Sequence, residues 1–276
     1  MNRAVFIAPV FLWLLAAVGA PFALIVAISF GSATQGAPPF DWGFSLDNYK
    51  LLIADDLYVA AFANAARIAG TSTAICLLVG YPMALAIARA APRRRALLLF
   101  FVMLPFWTSF LIRVYAWMGL LRPTGLINGT LEALGLIDAP VQMIANEFAV
   151  HLGIVYAYLP FMVLPLYATL EKLDPALLEA AQDLGAGPWR AFWRVTLPLS
   201  LPGIVAGALL VFIPASGEFV IPDLLGGPDT PMIGRVLWLE FFQNRDWPMA
   251  CALASALGAL LAAPLLLFDR LRLRAG

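Results

Sequence analysis

Of the chain's 276 residues, 62% are hydrophobic and 12% charged, with a mean hydropathy of +0.88; a soluble domain is nearer about half apolar, so the composition excludes one and points to a membrane protein. Seventeen basic residues balance seventeen acidic ones, which leaves no net field for nucleic acid. The two cysteines, Cys76 and Cys251, sit inside apolar runs, where they pack rather than build a disulfide framework or a metal cluster.

Six apolar runs are long enough to cross about 30 Å of hydrocarbon at 1.5 Å per residue. They cover 4–30, 68–88, 96–121, 148–170, 201–221 and 247–268. The predicted fold class is therefore an all-α integral membrane protein of six transmembrane helices. The first run opens like a signal peptide, with Arg3 ahead of it and small residues near Ala20, but it continues past the length of a cleavable core and reads as an uncleaved span. Residues 1–66 then form a first span with its following loop, and 67–276 a five-helix core that carries a polar loop at 171–200.

The basic residues orient these runs. With the N-terminus inside, Arg3, Arg89, Arg93, Arg94, Arg95, Lys172, Arg190, Arg194, Arg270, Arg272 and Arg274 face the cytoplasm, eleven of seventeen. Lys50, Arg67, Arg122, Arg235 and Arg245 fall outside, among Asp41, Asp47, Asp55, Asp56, Glu132, Asp138, Asp223, Asp229 and Asp246. The positive-inside rule places both termini and the 171–200 loop in the cytoplasm. The segment 31–67 lies outside, where Ser45 or Asp47 caps a short helix that is either a landing surface or a lid. The arginines at 93–95 read as an anchor for anionic headgroups.

Two stretches carry more than hydropathy. In EKLDPALLEAAQDLGAGPWRAFWRVTLPLSL, residues 171–201, Asp174 is an N-cap, Pro175 suits the first helical position, and Gly185 closes the helix. A second helix starts at Pro188 and is expected to stop before Pro198. Leu177, Ala180, Ala181 and Leu184 share one face, and Glu179 and Asp183 another, so the element suits a partner's groove or lies as a connector on the membrane.

In LVFIPASGEFVIPDLLGG, residues 210–227, Pro214, Gly217 and Pro222 weaken the helix around Glu218. An intramembrane carboxylate is expensive and reads as functional by default; Arg113, the other charge within a run, is its candidate structural partner. Neither lysine, Lys50 or Lys172, completes a phosphate loop, so ATP hydrolysis falls to another polypeptide. His151, the lone histidine, stands four residues after Glu147 and reads as a local pair rather than a catalytic base.

Glu179-Ala180-Ala181, three residues, Gly185, nine residues, then Val195-Thr196-Leu197-Pro198 resembles the EAA loop of ABC importer permeases, with Val195 where that family prefers Ile. The resemblance implies a type I importer permease whose loop, through Glu179, Ala180, Ala181, Asp183, Gly185, Pro188 and Trp189, rests in a cleft of an ATP-hydrolysing subunit. ATP and Mg belong to that partner, and no cofactor to this chain. LIRVYAWMGLL, the run 146–175 and the run 210–248 resemble the polyamine branch, and the last of them is similar in particular to the permease of the putrescine system. The implied partners are a second permease subunit, an ATPase dimer, a periplasmic polyamine-binding protein and membrane lipid, at a bacterial inner membrane.

A diamine passage calls for spaced carboxylates and aromatic faces. Glu218, Asp223 and Glu240 are the candidate carboxylates, and Trp107, Tyr115 and Trp117 the candidate rings. Each ring taken singly is better explained by an interfacial belt. The competing functions are a permease for another solute, such as ferric iron or an opine, and a secondary carrier or channel.

Overall fold

The computed structural model describes residues 3–228 and 230–275, and the side chains of 8–262 other than Val10 and Asp229. Asp229 therefore lies outside the described residues, as do the side chains of Arg3, Arg270, Arg272 and Arg274. Among the described residues the regular structure is helical apart from one two-stranded ladder. The helices Phe11–Ser29, Asp56–Arg89, Glu147–Leu170 and Pro188–Ser216 are long and apolar enough to cross a membrane. The sixth run, 247–268, falls in the helix Trp247–Ala275, whose side chains are described as far as Ala262.

The run 96–121 is not one straight span. Pro92–Trp107 and Phe110–Ala133 meet at a bend of 88°. The cause is local: Pro105 has no N–H to give, Leu104–Trp107 tightens into a 3-10 turn, and Thr108 is extended while its hydroxyl donates to the Pro105 carbonyl at 2.8 Å. A second correction concerns Pro198. The helix from Pro188 does not stop before it but passes through a π turn at Phe192–Thr196 into Leu197–Ser216. The widened turn just ahead of Pro198 accommodates a residue that lacks a donor and crowds the carbonyl one turn back.

Contacts within the chain group it into two units, Met1–Ala63 with Ile233–Gly276, and Asn64–Met232. In the first of these, the residues from Ile233 onward group with the first ones. In this unit Phe40 and Trp247 stack at 6.2 Å, with Ile28 and Cys251 buried beside them. The ladder pairs Ser32 with Asp41 and Ala33 with Phe40, and the Asn48 amide donates to the carbonyls of Ser29 and Gly31 at 2.9 and 3.0 Å. Ser45 accepts the Asp47 N–H at 3.0 Å and starts the helix Asp47–Ala54. The Ser45 hydroxyl and then the Lys50 ammonium hold the exposed Asp47 carboxyl below its ordinary range.

The second unit is built on the pairing of Glu147–Leu170 with Leu197–Ser216. A β-carbon at Gly203 would meet the Thr169 hydroxyl at 2.6 Å and the Pro165 carbonyl at 2.9 Å, and one at Gly207 would meet Met162 Sδ at 2.8 Å. The two glycines, four apart, let the backbones touch, which is how helices associate where lipid offers no hydrophobic gain. Around this seam Tyr81, Ala84, Ile87, Met162, Val163, Leu166 and Val211 form a buried cluster, and the Tyr81 and Ser200 hydroxyls bond at 2.9 Å.

Candidate functional site

The stretch after Leu170 is an exposed hairpin. Asp174 accepts the Ala176 N–H at 3.0 Å and opens the helix Pro175–Asp183. At its other end Gly185 takes φ +78, its N–H donating to the Gln182 carbonyl at 2.8 Å and that of Ala186 to the Ala181 carbonyl at 2.9 Å. These paired bonds are a Schellman closure, which satisfies the last carbonyls and needs a residue without a β-carbon at the left-handed position. Glu179, Ala180, Asp183, Gly185 and Pro188 are exposed and Ala181 half-buried. Leu184 at 89% and Trp189 at 75% exposure leave a large apolar surface on the same hairpin. Arg95 donates to Glu171 at 2.8 Å, so one of the three arginines of 93–95 braces the hairpin's root.

The break expected in 210–227 is present. The helix Leu197–Ser216 ends at Gly217, and a short helix resumes over Val220–Leu225. Glu218 occupies the gap at 8% exposure. Its Oε1 accepts the N–H groups of Phe219 and Val220 at 3.2 and 3.0 Å, and its Oε2 accepts from the Tyr158 hydroxyl. The carboxylate thus takes up donors that a helix start leaves unpaired. The short helix docks because Gly153 has no side chain: a β-carbon there would meet Ile221 Cγ2 at 2.8 Å and Leu225 Cδ1 at 2.9 Å.

Glu218 lines a cavity of about 450 Å³, together with Phe106, Phe110, Arg113, Tyr158, Phe161 and Phe219. Arg113 Cζ lies 5.5 Å from the centre of the Phe106 ring and 5.9 Å from that of Phe110. Its Nε and Nη1 are buried without a hydrogen-bond partner. Arg113 and Glu218, expected as an ion pair, share this wall but are not joined by one; Glu218 is held by Tyr158 and backbone N–H groups instead. The cavity wall thus sets one buried carboxylate, which accepts from three donors, among aromatic rings and one guanidinium.

The other sequence candidates lie elsewhere. Trp107 and Tyr115 are 76% and 55% exposed, and Trp117 packs edge-on against Tyr156 at 5.4 Å. Asp223 is exposed in the short helix Val220–Leu225. Glu240 belongs to the other unit, in a π turn, where it accepts from the Tyr58 hydroxyl at 2.9 Å and from the Asn244 amide at 2.8 Å. His151 joins a polar chain in which Arg67 donates to Glu147 at 2.5 and 2.9 Å, Glu147 meets His151 Nε2 at 3.1 Å, and Nδ1 meets the Ser72 hydroxyl at 2.8 Å. Sequence reading missed Phe106, Phe110, Tyr158 and Phe161. A mid-span tyrosine hydroxyl, with no water to bond, was the one signal available for any of them.

Residues 77–274 match the family described as "binding-protein-dependent transport system inner membrane component". The spermidine/putrescine transport system permease protein PotB of Haemophilus influenzae is 42% identical over 264 residues, 96% of this chain and 92% of that protein. Among solved structures, a chain of a bacterial ABC transporter that imports the acidic polysaccharide alginate is similar with TM-score 0.72 at 22% identity, over 98% of this chain and 94% of that one. A second structure, of a bacterial alginate ABC transporter in complex with an alginate pentasaccharide-bound periplasmic protein, gives TM-score 0.71 at 21% identity, over 98% and 93%.

Proposed function

The chain belongs to the binding-protein-dependent transport system inner membrane components, a multi-pass transport protein rather than an enzyme, and from that premise we propose that it forms the passage for a polyamine, putrescine or spermidine, in an ATP-driven importer. The observation that carries the substrate class is Glu218, a carboxylate buried in a helix break and facing aromatic rings across a cavity. Each ammonium of a diamine gains from a carboxylate and from ring faces, and its apolar stem tolerates the rest of the wall. The PotB relative, a spermidine/putrescine permease by name, supports the same class.

The coupling reading rests on the hairpin. Glu179, Ala180, Ala181, Asp183, Gly185, Pro188 and Trp189 form a capped element whose apolar residues nothing in the described chain covers fully. Such a surface fits a groove on a soluble ATPase, which would bind the ATP and Mg. In this reading both termini and the hairpin are cytoplasmic, six spans cross the membrane, a second permease subunit completes the passage, and a periplasmic protein brings the amine, a reading supported by the alginate transporter's complex with a periplasmic protein that holds an alginate pentasaccharide. Asp223, Glu240, Trp107, Tyr115 and Trp117 are secondary candidates along the path.

The test is uptake into reconstituted vesicles that contain the assembled transporter. Putrescine uptake should stop on ATP depletion and survive an uncoupler; the opposite pattern would indicate a secondary carrier. Glu218→Gln should lower uptake at unchanged assembly, because it keeps an acceptor for the local donors but removes the charge. Normal uptake by that variant would move the cation site to Asp223 and Glu240. For orientation, Ser45→Cys should react with an impermeant maleimide from outside only.

A further inference from the structure

The cavity beside Glu218 already holds a cation. Arg113 lies over the faces of Phe106 and Phe110, the seats that an entering ammonium would take. Two of its nitrogens, Nε and Nη1, are buried and unbonded, although a carboxylate lines the same cavity. A guanidinium kept only to brace the fold would be expected to close those bonds, because idle desolvated donors oppose stability. The rings, not an anion, hold it in place.

That placement has a consequence for what enters. A lone carboxylate in an aromatic cavity attracts any small cation, whereas a fixed positive charge beside it opposes entry unless the entrant gains enough to displace that charge. A cation with one charged end gains at Glu218 alone. A cation with two ends gains at Glu218 and again at the rings. We infer that Arg113 is the resident counter-cation of the cavity, a specificity-determining residue that yields Phe106 and Phe110 to a two-ended organic cation and excludes one-ended ones. The inference rests on the reading that Glu218 lines the path.

The experiment compares uptake of a four-carbon monoamine with that of the four-carbon diamine by the assembled transporter in vesicles. Arg113→Gln should raise the monoamine-to-diamine ratio about tenfold, the scale of one desolvated cation–ring interaction. An unchanged ratio in an assembled, ATP-hydrolysing Arg113→Gln complex overturns the inference. Should that variant not assemble, Arg113→Lys decides in its place: it keeps the charge but weakens the ring seat, so the ratio should rise about two- to threefold, and no rise overturns it. Glu218→Gln with Arg113 intact separates the two readings. Undiminished diamine uptake there removes the path reading and the inference with it; diminished uptake together with an unchanged ratio in the Arg113 variant removes the inference alone.

Discussion

The hairpin at 174–193 and the break at 217–219 are both places where a helix is interrupted by glycine, yet they solve the unpaired-backbone problem in opposite ways. At Gly185 the chain closes on itself: the N–H groups of Gly185 and Ala186 return to carbonyls of the helix they end. At Gly217 the chain returns only weakly, from the Glu218 N–H to the Ala215 carbonyl at 3.4 Å, and the side chain of Glu218 takes the N–H groups of Phe219 and Val220 while Tyr158 reaches it from another helix. The first interruption is exposed and complete by itself. The second is buried and depends on groups from elsewhere in the chain. An interruption that closes locally leaves its side chains unengaged by its own backbone; one that borrows a side chain makes the local backbone depend on that side chain's position.

The sharpest way to break the comparison is Glu218→Ala. Three donors, two backbone N–H groups and the Tyr158 hydroxyl, would lose their acceptor, so stability should fall by roughly 3–5 kcal/mol, at about 1–3 kcal/mol for each buried group with partial relief. A thermal midpoint in detergent close to wild type would show that the break does not need its carboxylate. Gly207→Leu should cost about 1–3 kcal/mol by forcing apart the helices at Met162, measured the same way. It probes the seam that both interruptions share.

Gly185→Val tests the other side. Its left-handed φ should cost about 1–2 kcal/mol locally, leaving the midpoint of the membrane core nearly unmoved while ATP-driven uptake falls at least tenfold. Normal uptake by the assembled Gly185→Val complex would separate the hairpin from coupling. The smallest change is Asp174→Ala, which removes the bond to the Ala176 N–H and should cost about 1 kcal/mol of helix stability, visible as faster amide exchange over 175–179 alone.

The same contrast explains what the sequence could convey. Asp174, Pro175 and Gly185 obey rules that act within one or two turns, and the observed helix Pro175–Asp183 lies between the residues that those rules select. Pro214 and Gly217 likewise announced the break. Tyr158 did not, because it stands sixty residues away and its role exists only once two helices pack. Phe106 and Phe110 were hidden for a related reason: the run 96–121 reads as one apolar stretch, and only the 88° bend after Pro105 turns these rings toward the cavity. Proline's local rule predicts a stop before Pro198, whereas the π turn at Phe192–Thr196 lets the helix run through it. Gly203 and Gly207, by contrast, carry in the sequence itself the four-residue spacing that lets two helices approach closely.

One continuous element, Pro188–Ser216, runs from the exposed hairpin to the buried break. At about 1.5 Å per residue it is a rod of roughly 40 Å, and at Gly203 and Gly207 it lies directly against the backbone at Pro165 and Met162, with the Thr169 and Met162 side chains beside it. Such a rod behaves as a lever. A tilt of about 5° around its Pro188 end displaces the Ser216 end by roughly 3–4 Å, about the length of a hydrogen bond, which is enough to carry the Glu218 backbone out of reach of the Tyr158 hydroxyl.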